Sequence, residues 1–167
     1  MDNTTNPMVP IARKYLGVME IKGKKHNPTI LKWWRKIGRP YRDDETPYCG
    51  GFIGYLSVSC GFGAPGTPEG ARNWLKWGVP LKRPVPGCVV VFWRGKKSGW
   101  AGHVALVTGE TSAGNLMCIG ANQSDTVSEI PFSKLRVLGY RWPKELPIPT
   151  EGLAVKRTDQ KLSKRED

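Results

Sequence analysis

The sequence predicts an α+β fold in which helices come first and an antiparallel sheet follows. Before residue 80, cap-and-stop signals bracket segments of helical periodicity. After residue 88 the apolar residues instead form short strand-like runs separated by turn residues. A chain of 167 residues with 39% hydrophobic residues and seven tryptophans suits one packed domain. We therefore expect a single domain over 1–146 and a mobile or loosely docked charged tail over 147–167.

The first helix is expected over 7–16, with Gly17 as its stop. Asn27-Pro28 reads as the cap and first residue of a second, whose Ile30, Trp33, Trp34 and Ile37 keep helical spacing up to Gly38. These tryptophans are expected in the core. The intervening Lys22-Gly23-Lys24-Lys25-His26 reads as a solvated basic loop. A third helix is expected from Thr46 as N-cap, with Pro47 first, to Cys60, and Gly61 as stop. Residues 61–70 form a Gly/Pro-rich loop, and 71–77 a short helix closed by Gly78. Strands are expected over 88–94, 103–108, 116–121, 126–130 and 137–142, arranged as a meander.

The net charge of +12 implies an anionic partner or surface. From residue 144 onward basic and acidic residues nearly balance, so the excess belongs to the domain. No apolar run is long enough to span a bilayer, and the N-terminus lacks a charged-then-apolar leader. Cytoplasmic synthesis follows as the expectation. Cys49, Cys60, Cys88 and Cys118 contain no CxxC pair, which argues against a zinc cluster, and in a cytosolic product they are expected as free thiols.

Position singles out Cys49. On the predicted boundaries it is the third helical residue, where unpaired N–H groups and the positive helix end favour thiolate. Cys60 falls at a helix C-terminus, while Cys88 and Cys118 fall in apolar strands. Gly50 and Gly51 are poor helix formers, so a substrate or a base-bearing strand is expected to pack closely there. A cysteine nucleophile needs a base and a group that orients it. His103 opens a strand whose alternation places it with Ala105 and Val107, and in the next strand Cys118, Gly120 and Asn122 share a face. Ala105 and Gly120 would then leave room for the cysteine helix. Asn122 is the expected partner of the far imidazole nitrogen, and Gln123, pointing to the other face, is the rival. Tyr48, Trp100 and Gln123 flank the site as candidate substrate-binding residues.

Five motifs in order, Thr46-Pro47-Tyr48-Cys49-Gly50-Gly51-Phe52, Pro86-Gly87-Cys88-Val89-Val90-Val91-Phe92, Gly102-His103-Val104-Ala105-Leu106-Val107-Thr108-Gly109, Gly120-Ala121-Asn122-Gln123 and Leu138-Gly139-Tyr140-Arg141-Trp142-Pro143, resemble the CHAP and NlpC-type cysteine peptidases, in a branch common in bacteriophage lysins. The resemblance covers residues 8–143. It implies a papain-like α+β fold, with the nucleophile helix packed on the sheet that bears the base. It further implies hydrolysis of peptidoglycan amide bonds, with Cys49 as nucleophile, His103 as base and Asn122 as orienting residue. Two departures stand out: Cys88 replaces the acid that usually follows Pro-Gly, and Gly120 stands where many CHAP members carry glutamate. The reading is therefore a triad. Some relatives bind calcium near the nucleophile, but Asp43-Asp44-Glu45 lacks the alternating spacing of a calcium loop. Neither a metal nor another cofactor is expected.

These features lead us to expect a monomeric phage endolysin, held in the host cytoplasm until a holin-type release. Its expected partners are peptidoglycan and an anionic outer-membrane surface rather than nucleic acid. A secreted amidase effector would have the same chemistry together with an immunity partner. A non-catalytic basic wall-binding or nucleic-acid-binding protein would ignore thiol alkylation and bind DNA with a steep salt dependence.

Overall fold

The computed structural model describes residues 6–21, 25–39 and 48–163. The expected N-cap Thr46, Pro47, the acidic run 43–45 and most of the basic loop 22–24 lie outside them. Helix α1 spans Met8–Arg13, shorter than expected, and a turn carries the chain to Gly17 at φ +88°. Asn6 secures its start: Oδ1 accepts from the Met8 N–H at 3.0 Å, and Nδ2 donates to the Gly87 carbonyl at 2.9 Å. Helix α2, Pro28–Lys36, begins as the sequence suggests, with Asn27 Oδ1 accepting from the Thr29 N–H at 2.9 Å. Its Ile30, Trp33 and Trp34 are fully buried.

Helix α3 spans Cys49–Ser59, and every residue from Cys49 to Ser57 is buried. A helix apolar on all sides belongs inside the molecule. It lies among α1, α2 and the sheet, with Trp33 and Phe52 ring centroids 4.6 Å apart. Residues Ala71–Lys76 form a 3-10 helix rather than an α-helix.

The strands are β1 (Val79–Leu81), β2 (Val89–Trp93), β3 (Gly102–Thr111), β4 (Leu116–Gly120), β5 (Ser128–Phe132), β6 (Val137–Trp142) and β7 (Val155–Lys156). Strands β2 to β5 form the expected meander. Strand β6 departs from it, crossing back to pair with the free side of β2, and β1 pairs with β6. All pairings are antiparallel except β3 with β7. Neither β1 nor β7 carries a local strand signal, because each is short and owes its conformation to the edge it meets.

One core lies between the helices and the face of the sheet bearing Val89, Val91, Val104, Leu106 and Ile119. A second gathers Val90, Phe92, Ala105, Val107, Cys118 and Phe132 on the other face. Along β3, His103, Ala105 and Val107 share one face, as alternation predicts, but the helix packs on the other, which bears Val104 and Leu106. From the tail, Leu146 and Leu153 pack on the second core, Ala154 accepts from the Glu110 N–H, and the Ser163 N–H reaches the Pro131 carbonyl.

Candidate active site

Cys49 is the first residue of α3, not the third, and the helix start carries no side-chain cap from Tyr48. The glycines beside it answer to neighbours other than those the sequence suggested. A Cβ on Gly50 would lie 2.1 Å from the Pro68 carbonyl oxygen, and one on Gly51 would lie 2.6 Å from the Trp34 ring. The helix start is thus wedged between the 67–70 loop and α2. That loop is itself fixed: Trp74 Nε1 donates to the Pro68 carbonyl and Asn73 Nδ2 to that of Thr67, each at 2.9 Å.

Cys49 is only 6% exposed and borders a cleft of about 220 Å³ lined also by Glu69, Gly70, Ala71, Arg94 and Trp100, with Ala101, Gly102 and Asn122 completing it. Burial raises its pKa above the ordinary thiol value, against the lowering effects of the Val104 and Gly50 backbone N–H groups and the Arg94 charge. The upward direction opposes the thiolate that the sequence led us to expect at the helix start. A thiol in this setting needs a base. Burial likewise raises Cys60, pushes Cys88 up to about 12, and raises Cys118 well above its usual value.

The Val104 N–H that faces the thiol belongs to the residue after His103. The imidazole is fully buried and does not line the cleft. It stacks on Phe132, with centroids 5.4 Å apart and planes 11° apart, and its Nε2 lies 3.0 Å from Gln123 Oε1. This corrects the assignment of that nitrogen to Asn122. The reason is local: β4 ends at Gly120, and the chain then turns through Asn122, Ser124 and Asp125, all with φ near +60°. That turn reverses the facing the strand pattern predicted, sending Gln123 behind the sheet and Asn122 into the cleft. Gln123, fully buried, is thus unavailable as a groove residue.

Tyr48 is also fully buried rather than a groove residue, and its hydroxyl donates to the Asp125 carbonyl at 2.7 Å. This bond ties the residue before Cys49 to the turn that carries Asn122. Trp100 lies on the cleft rim, 88% exposed. Its loop is gripped by Arg72, whose guanidinium donates to the carbonyls of Lys96, Lys97 and Ala101 at 2.8–2.9 Å. Sequence reasoning missed Glu69 and Arg94, which join the cleft from separate loops and carry no shared spacing. Among the described residues no cluster of His, Cys, Asp and Glu could hold a metal ion.

A family model for the CHAP domain matches residues 40–122, a stretch that contains Cys49, His103 and Asn122. The match is consistent with a CHAP/NlpC-type papain-like cysteine peptidase. CHAP domains are cysteine amidases or peptidases acting on peptidoglycan, and that general activity follows for this chain. A comparison with curated proteins finds no match. Among the described residues no helix is long and apolar enough to cross a membrane.

Proposed function

We propose that the chain is an endolysin that hydrolyses an amide bond in the peptide stem of murein, or the bond joining that stem to muramic acid, with Cys49 as nucleophile and His103 as base. The observation that carries this reading is the placement of a buried thiol at the start of α3, open to a cleft and against the backbone N–H next to His103. Its sulfur forms a bond to the scissile carbonyl carbon as the thiol gives up its proton to the base that this reading assigns, His103, the residue before the Val104 N–H that faces the thiol. The tetrahedral oxyanion is stabilised by backbone N–H groups at the helix start and by the carboxamide of Asn122, which lines the cleft. The carbon–nitrogen bond then breaks, and the imidazolium gives its proton to the leaving amine. Water, deprotonated by the imidazole, attacks the thioester and releases the acid and the thiol.

Trp100 offers an exposed apolar face beside the reacting groups, and the +12 charge suits anionic murein and outer-membrane surfaces. Release by a holin-type pore would give such an enzyme access to the wall. The Cys49→Ala variant should fold normally yet release no new amino groups from purified murein. Full cleavage by that variant would refute the mechanism. Mass spectrometry of the digested fragments identifies the bond.

A further inference from the structure

Gly120 and Gln123 form a unit that a strand pattern does not reveal. A Cβ added at Gly120 would lie 2.7 Å from Gln123 Oε1 and 3.0 Å from the Ala105 Cβ. The space a side chain at 120 would occupy is filled by the glutamine carboxamide, folded back over the strand end. There Oε1 meets His103 Nε2, while Nε2 of the glutamine donates to the carbonyls of Cys118 at 3.4 Å and Ser128 at 2.8 Å and to Ser128 Oγ at 3.2 Å.

This arrangement fixes the direction of the His103 hydrogen bond. Two backbone carbonyls accept from the amide nitrogen, so the amide oxygen must face the ring, and an amide oxygen can only accept. The proton between them belongs to His103 Nε2, which leaves Nδ1 as the basic nitrogen. Stacking on Phe132 holds the plane of the ring. Gln123 lies one residue beyond the stretch matched by the CHAP model.

We infer that Gln123, working through the space left by Gly120, is the positioning residue for His103: it locks the imidazole as the Nε2–H tautomer and frees Asn122 to face the cleft. The inference rests on the proposed role of His103 as base. Because Gln123 is neutral, it orients the ring without adding a negative charge to stabilise the imidazolium.

The test uses the full chain. With only two histidines present, His26 and His103, nitrogen-15 NMR with a His26→Gln variant for assignment reads the tautomer directly. Neutral His103 should be protonated on Nε2, and an Nδ1–H form would overturn the inference. Gln123→Ala should lower kcat for murein about a hundredfold with KM little changed, and a mixed tautomer should appear. Adding Gly120→Asn to that variant returns a carboxamide to the vacated space and should recover part of kcat. Unchanged kcat in Gln123→Ala would sink the proposal. Should Gln123→Ala fail to fold, Gln123→Glu serves instead. A carboxylate beside the ring favours the imidazolium and should move the acidic limb of the kcat/KM profile to higher pH, and an unmoved limb counts against the role. A wild-type chain that leaves murein intact but shows the Nε2–H tautomer would refute the proposed function while upholding the Gln123–His103 bond.

Discussion

Asn122 holds a φ of +60°, and its carboxamide lines the cleft. Asparagine tolerates this left-handed conformation better than most residues, and glycine tolerates it freely. Asn122→Gly therefore separates backbone from side chain. It should leave thermal stability within about 1 kcal/mol of wild type, while kcat/KM for murein falls by about a hundredfold if the carboxamide meets the oxyanion. Calorimetry and an amino-group release assay measure the two effects. Cys49 gives a second residue-scale test, because its raised pKa means less thiolate at neutral pH than a free cysteine has. Iodoacetamide labelling of Cys49, followed by mass spectrometry, should be slow at pH 7 and rise through and beyond the ordinary thiol range. Equal rates at pH 6 and pH 9 would show a resting ion pair.

Helix α3 is placed by contacts at its first turn. Gly50 meets the Pro68 carbonyl, which Trp74 holds from the other side. Backbone cannot yield as a flexible side chain can, so Gly50→Ala should cost about 3 kcal/mol through overpacking. Activity should fall with it, because the displaced helix start carries the thiol. A denaturation midpoint equal to wild type would show that the loop moves freely. The helices and the four-strand meander were legible from caps, stop glycines and alternation. The return of β6 to β2 was not, since an antiparallel strand can join either free edge and its sequence does not say which. The facing of β3 was lost for a related reason. Ala105 and Gly120 look like space cleared for a helix, but the occupant of that space is Gln123, three residues beyond Gly120.

Across the whole molecule, Glu129 on β5 joins parts that are distant in sequence. Its carboxylate meets Thr108 on β3 at 2.7 Å, Lys156 on β7 at 3.1 Å and Arg13 on α1 at 3.4 Å. Burial raises its pKa, but the Thr108 hydroxyl, Lys156 and Arg13 outweigh that, and the net shift is downward. A depressed carboxyl pKa contributes stability above the unfolded value, and that contribution is lost as pH falls through the folded value. Glu129→Gln should thus cost about 1 kcal/mol at pH 7, and its melting temperature should converge on wild type in acid. A gap that persists at low pH would mean the carboxylate is not the cause.

By itself the sequence determined the succession of helices and strands and the net positive charge. Those follow from local periodicity, capping and composition, which neighbours in the chain dictate. Tertiary structure decided which residues face each other: Asn122 in the cleft, Gln123 on the imidazole, Tyr48 as a clamp, and Glu69 and Arg94 beside the thiol. The physical reason is the turn after β4, where Asn122, Ser124 and Asp125 at positive φ abandon strand alternation, so that adjacent carboxamides end up on opposite sides of the same wall.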